Sequence, residues 1–192
     1  SFSVEQLAGQ RLMVGFEGTE LNKDLMFLID KLKVGGIILF AENLSNSDQI
    51  KQLCFSVQDY TRSCGQPPLL ISIDQEGGHV SRLKEPFTRF PGNPKMKGTK
   101  DAIHFARVTA AELKEVGINM NLAPVLDVVP KGLDSVMSDR AFGHDPMRVS
   151  ELGVTVIEHL QESKIMSVAK HFPGIGRTIL DSHVDLPTLN II

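Results

Sequence analysis

The chain alternates short, nearly continuous apolar runs with longer stretches in which apolar positions return every three or four residues. The runs at 11–16, 36–40, 69–74, 118–123 and 166–171 predict strands. Their mostly apolar composition suits parallel strands covered on both faces. Between them, residues 21–32, 47–61, 99–116 and 145–162 carry the helical period. Local signals support these boundaries. Asn46 or Ser47 caps the second helix, Gly117 ends the third, and Pro146 suits the first turn of the fourth. Strand and helix in alternation predict an α/β protein built on a parallel sheet. No internal repeat or linker interrupts it.

The polar residues of interest gather where the strands end. Asp74 closes the third strand, Asp127 follows the fourth, and Lys170-His171 closes the fifth. Strand C-termini carry the active site in a (β/α)₈ barrel. They also carry it in an open doubly wound sheet, so position alone leaves both architectures open.

Bulk properties narrow the function classes. The chain has 192 residues, a hydrophobic fraction of 42% and a formal net charge of -3. Acids and bases are interspersed, with none of the basic clustering that marks a nucleic-acid surface. No apolar run nears the ~18 residues of a membrane span. Cys54 and Cys64 fall in or just after one predicted helix, about 15 Å apart along its axis. That is too far for a disulfide, and free thiols favour a reducing, cytoplasmic setting.

Four motifs carry candidate chemistry. After the third strand comes Asp74-Gln75-Glu76-Gly77-Gly78-His79-Val80-Ser81-Arg82. It reads either as a βα turn with Asp74 capping the next helix, or as an acceptor for substrate hydroxyls with Arg82 as a nearby donor fork. Ser138-Asp139-Arg140-Ala141-Phe142-Gly143 lies in a long stretch of little helical period, a setting usual for functional loops. Asp139 and Arg140 could equally be a surface ion pair. Lys170-His171-Phe172-Pro173-Gly174 ends an apolar strand with two adjacent polar residues, which favours a ligand contact over a snorkelling lysine. Asp181-Ser182-His183 places a carboxylate two residues from an imidazole, close enough to fix its tautomer and raise its basicity.

Other chemistries find no support. Residues 174–179 are neither a P-loop nor a dinucleotide fingerprint, and there is no nucleophile elbow. His79, His144, His171 and His183, with Asp74 and Asp181, have no spacing known for a metal site.

Taken in order, Gly35-Gly36-Ile37-Ile38-Leu39-Phe40, Asp74-Gln75-Glu76-Gly77-Gly78, Asp139-Arg140-Ala141-Phe142-Gly143, Lys170-His171-Phe172-Pro173-Gly174 and Asp181-Ser182-His183 resemble the bacterial β-N-acetylhexosaminidases of glycoside hydrolase family 3. The resemblance runs from about Leu7 to Pro187. It implies a parallel (β/α)₈ TIM-type barrel, of which residues 1–192 would supply about the first five βα units as its N-terminal portion. It also implies removal of terminal β-linked N-acetylglucosamine, often from peptidoglycan fragments, by a retaining mechanism. Asp74, Arg82, Arg140, Lys170 and His171 match sugar-binding positions. His183 matches an unusual general acid/base and Asp181 its partner. The substrate implied is a small carbohydrate, with no cofactor or metal. The family's nucleophilic Asp lies on a later strand, beyond residue 192. A barrel usually takes about 250 residues, and five strands alone leave open edges that invite self-association. The alternative is a non-catalytic sugar-binding module derived from the same barrel. Two departures from the family pattern lie in the loop, at Ile175 and Arg177, and a third is His79.

Overall fold

A computed structural model describes residues 2–189. Five strands form one sheet: β1 (Met13–Val14), β2 (Gly36–Leu39), β3 (Leu70–Ile73), β6 (Met120–Asn121) and β7 (Met166–Ser167). Between β3 and β6 lies a separate hairpin, β4 (Gln75–Gly77) and β5 (Val80–Ser81). The helices are α1 (Val4–Gly9), α2 (Lys23–Asp30), α3 (Ser47–Ser63), α4 (Thr99–Glu115) and α5 (Pro146–Glu162).

Every pairing in the five-stranded sheet is parallel, and the spatial order is β1-β2-β3-β6-β7. Each strand thus lies beside the next one along the chain. A doubly wound sheet reverses its strand order at a switch point, and no reversal occurs among the described residues. The winding is that of a barrel wall, and it resolves the choice that strand-end position left open.

The apolar periods become the core. In α3, Ile50, Leu53, Cys54 and Val57 are buried; in α4, Ala102, Phe105, Ala106 and Leu113; in α5, Val149, Leu152, Val156 and Leu160. They pack with Ile37, Leu39, Ile71 and Ile73 of β2 and β3 in one continuous cluster. Helix starts are capped as side-chain chemistry dictates. Asn22, Asn46 and Asp145 accept from the first-turn amides of α2, α3 and α5. Asn46, not Ser47, is therefore the cap of α3. Gly117 leaves α4 with φ +83°, a conformation that glycine adopts without a Cβ penalty.

Three expectations need correction. The first strand, expected over 11–16, pairs only at Met13–Val14. The strands expected over 118–123 and 166–171 have regular ladders of two residues each. Beyond them Pro124, which lacks an amide hydrogen, sits in the chain. Pairing resumes past it at a parallel bridge between Val125 and Lys170. Finally, no helix follows Asp74, so Asp74 is not a helix cap. The chain turns straight into the β4–β5 hairpin. Cys54 and Cys64 are free thiols.

Buried amides tie the strand ends together. Asn121 of β6 accepts from the Gln75 amide and donates to the Gln75 carbonyl, both at 3.1 Å. Gln75 Oε1 in turn accepts from the amides of Arg82 and Leu83. The hairpin is thereby fixed over the C-terminal edge of the sheet. The stretch after β6 is irregular, as expected, and folds on a small apolar centre of its own: Val125, Val129, Met137 and Ala141, with Val136 and Ile175 against it.

Candidate active site

Asp74 leaves β3 directly, Glu76 lies in β4, Arg82 follows β5, Arg140 ends a turn after the fourth sheet strand, and Lys170 sits at the bridge beyond β7. The sheet brings these five together. Lys170 Nζ lies 2.6 Å from Asp74 Oδ1 and 2.5 Å from Glu76 Oε1. Arg140 grips Glu76 with two donors, Nε to Oε2 at 3.0 Å and Nη2 to Oε1 at 2.7 Å. Arg82 Nη2 stands 3.7 Å from Asp74 Oδ2. Arg82 Nε is buried and has no hydrogen-bond partner among the described residues. Asn93, itself buried, donates to the Arg140 carbonyl and fixes that turn.

Arg140 is therefore no partner of Asp139 on the surface. Burial works against its charged form. The hydrogen bond and charge of Glu76, with the charges of Asp74 and Asp127, outweigh that and raise its pKa. Glu76 is the hub of the network and its side chain is only 2% exposed. Nothing in its own motif singles out Glu76 as a functional residue. Its partners lie 64 and 94 residues away, and no local signal marks them.

His171 follows Lys170, yet its ring joins a different partner. His171 Nδ1 lies 2.6 Å from Asp127 Oδ2, and the His171 amide donates to the same oxygen at 3.1 Å. Asp127 Oδ1 accepts from the Ile175 amide at 2.5 Å. Burial tends to raise the Asp127 pKa, but the His171 ring and these two amides together lower it. Asp127 and His171 line a cavity of about 280 Å³ with Leu126, Val128, Gly174 and Arg177. Thus Asp74, Arg82, Arg140 and Lys170 share one ion network, and His171 belongs to a neighbouring pair.

The Asp181–His183 pair forms on an exposed loop. Asp181 Oδ1 accepts from the His183 amide at 2.9 Å and lies 2.7 Å from His183 Nδ1. Those two hydrogen bonds depress the Asp181 pKa, and the His183 and Arg140 charges add smaller contributions in the same direction. An ionised Asp181 only accepts, so Nδ1 carries the proton and Nε2 faces outward as the exchangeable nitrogen. The His183 side chain is 84% exposed. Among the described residues, no group of three His, Cys, Asp or Glu side chains is placed to hold a metal ion.

Comparison with known proteins bears on the family and the fold. Residues 3–191 match the glycosyl hydrolase family 3 N terminal domain. The chain is 36% identical to beta-hexosaminidase A of Pseudoalteromonas piscicida over 98% of its own length and 36% of that protein's. It is 38% identical to the beta-hexosaminidase of Methylobacillus flagellatus, over 92% of this chain and 52% of the relative. Among solved structures, a glycoside hydrolase family 3 beta-N-acetylglucosaminidase from Paenibacillus sp. superposes with a TM-score of 0.89 at 37% identity, covering 95% of this chain and 35% of the other. NagZ from Neisseria gonorrhoeae, solved in complex with N-trifluoroacetyl-D-glucosamine, superposes at 0.80 and 33% identity, over 92% and 53%. The chain spans about half the length, or less, of the relatives it matches.

Proposed function

The chain belongs to glycosyl hydrolase family 3, and from that membership we propose that the complete enzyme removes terminal β-linked N-acetylglucosamine by a retaining double displacement. The observation that carries the reading is the 2.7 Å contact of His183 Nδ1 with an ionised Asp181. It leaves His183 Nε2 free to exchange a proton with a bound sugar. A neighbour solved with an N-acylated glucosamine supports the substrate class.

The roles follow from donor and acceptor chemistry. Asp74 accepts from sugar hydroxyls. Lys170, Arg140 and Arg82 donate to sugar oxygens. His171, with Nδ1 given to Asp127, offers Nε2 as a further contact. In the first step His183 Nε2 protonates the leaving oxygen as a carboxylate attacks the anomeric carbon. In the second, the now neutral His183 takes a proton from water as that water attacks the same carbon and releases the carboxylate. Imidazole is the side chain whose intrinsic chemistry suits both proton transfers near neutrality.

The strand-end carboxylates described above are already engaged: Asp74 with Lys170, Glu76 with Arg140 and Lys170, and Asp127 with His171 and Ile175. The nucleophile in this reading comes from outside the described residues, in the further part of the barrel. The same engagement favours the second reading, a sugar-binding module without hydrolysis. One experiment separates them. The complete enzyme is mixed with a β-N-acetylglucosaminide and the anomeric protons are followed by NMR. Retention predicts that β-N-acetylglucosamine forms first and then mutarotates. First-formed α anomer would overturn the double displacement. Saturable binding without release would favour the binding module.

A further inference from the structure

Resting on the glycosidase reading, we infer that Asp127 is a positioning residue: one buried carboxylate clamps both ends of the turn that leads to the dyad and sets the tautomer of His171. Asp127 was visible in the sequence only as a strand-end acid. In the structure its side chain is fully buried. Its two oxygens are divided between the two sides of the turn at 172–174. Oδ2 serves the His171 amide and ring, and Oδ1 serves the Ile175 amide. The tip of the turn is open to solvent, with Phe172 97% exposed.

Neighbouring contacts hold the same root. Gly174 has φ +108°, and a Cβ there would sit 3.4 Å from Asp127 Oδ1. A Cβ on Gly176 would stand 2.5 Å from the Val128 carbonyl oxygen. The loop backbone therefore lies directly on the 127–128 segment. Ile175 packs on the small apolar centre after β6, which gives the departure at that position a physical account. Thr178 is buried, and its carbonyl accepts from the Val136 amide. Asp181 begins three residues further on. Where His183 Nε2 stands is thus measured out from a root that Asp127 fixes.

The chemistry of the pair adds the second half. An ionised carboxylate only accepts, so His171 Nδ1 bears the proton and Nε2 presents a lone pair toward the cavity. An asparagine at 127 has the same shape but one acceptor and one donor. Whichever way its amide turns, one side of the clamp meets donor against donor.

The test is leaving-group dependence in the complete enzyme, with Asp127→Asn as the variant. Misplacing the acid by about 1 Å costs on the order of 10²-fold in rate. That loss should appear in kcat/KM for an alkyl β-N-acetylglucosaminide, whose leaving oxygen needs a proton. For a dinitrophenyl glycoside, which needs little acid, it should stay under about tenfold. A purely structural role lowers the active fraction and reduces both rates equally, and that equal loss would overturn the inference. Asp127→Glu keeps both acceptors. It should show the same pattern at smaller size, and it serves if the asparagine variant does not fold. An independent readout needs no turnover: ¹⁵N shifts of the His171 ring, assigned with His171→Gln. They should show the proton on Nδ1 in the wild type. A wild type with the proton on Nε2 would refute the inference, whereas a correct tautomer in an enzyme without hydrolysis would refute only the glycosidase reading.

Discussion

Replacing Glu76 by alanine should be among the most destabilising single changes in this protein. Its carboxylate holds two hydrogen bonds from Arg140 and an ion pair with Lys170. The side chains of Arg140 and Lys170 are only 16% and 14% exposed. Truncation leaves two largely buried cations with one remaining carboxylate, Asp74, between them. Removing one partner of a buried pair typically costs about 3–5 kcal/mol, because the charge left behind is uncompensated. For a chain of this size each kcal/mol shifts the melting temperature by roughly 2–4 °C, so the loss expected is about 6–20 °C. Glu76→Gln keeps the shape and one acceptor and should cost less, near the ~1.5–3 kcal/mol of a charged hydrogen bond. Thermal unfolding of both variants, with Arg140→Ala and the double variant completing a cycle, measures the coupling. A loss under about 1 kcal/mol for Glu76→Ala, with no coupling to Arg140, would mean the network behaves as an exposed ion pair.

Three other outcomes follow from the structure. Gly176→Ala should disrupt the loop root, because its Cβ would meet backbone atoms of Val128 at 2.5–3.1 Å. Gly153→Ala should be far milder, since the nearest obstacle is the movable Leu126 side chain, and melting temperatures of the pair check this. Asp127 has a depressed pKa in the folded state, so its contribution to stability is present above the unfolded carboxyl value of about 3.9 and is lost as pH falls through the lower folded value. The stability gap between wild type and Asp127→Asn should therefore shrink as pH is lowered below about 4; a gap unchanged down to pH 2 would refute the linkage. Burial pushes the Cys54 thiol up to about 12, so a thiol-specific reagent at pH 8 should label Cys64 and spare Cys54 until the protein unfolds. Equal labelling rates would contradict the burial.

Much of this was readable from local pattern, and the rest depended on distance along the chain. The five strands and four longer helices follow from apolar period and from caps such as Asn46 and Asp145. Helix α1 went unread although Ser3 and Gln6 form a capping box there, a signal visible in the sequence. The hairpin after Asp74 also had its sign, since paired glycines between short strand-forming stretches favour a tight reversal. Strand order was beyond local pattern, because the alternation of strand and helix is common to barrels and doubly wound sheets. The Asp181–His183 pair was legible because its members are two residues apart. Glu76 with Arg140 and Asp127 with His171 were not, being 64 and 44 residues apart. Pairs of that separation become evident only when parallel strands bring their ends to one edge.

In the proposed mechanism His183, oriented by Asp181, moves the proton in glycoside cleavage. Its most direct test compares His183→Ala with wild type in the complete enzyme, on a natural β-N-acetylglucosaminide and on an activated aryl glycoside. A loss of about 10²–10⁴-fold is expected on the natural substrate, the usual worth of general acid/base catalysis, with a smaller loss of glycosylation rate on the aryl one. Wild-type rates on both substrates would contradict it and remove His183 from the mechanism.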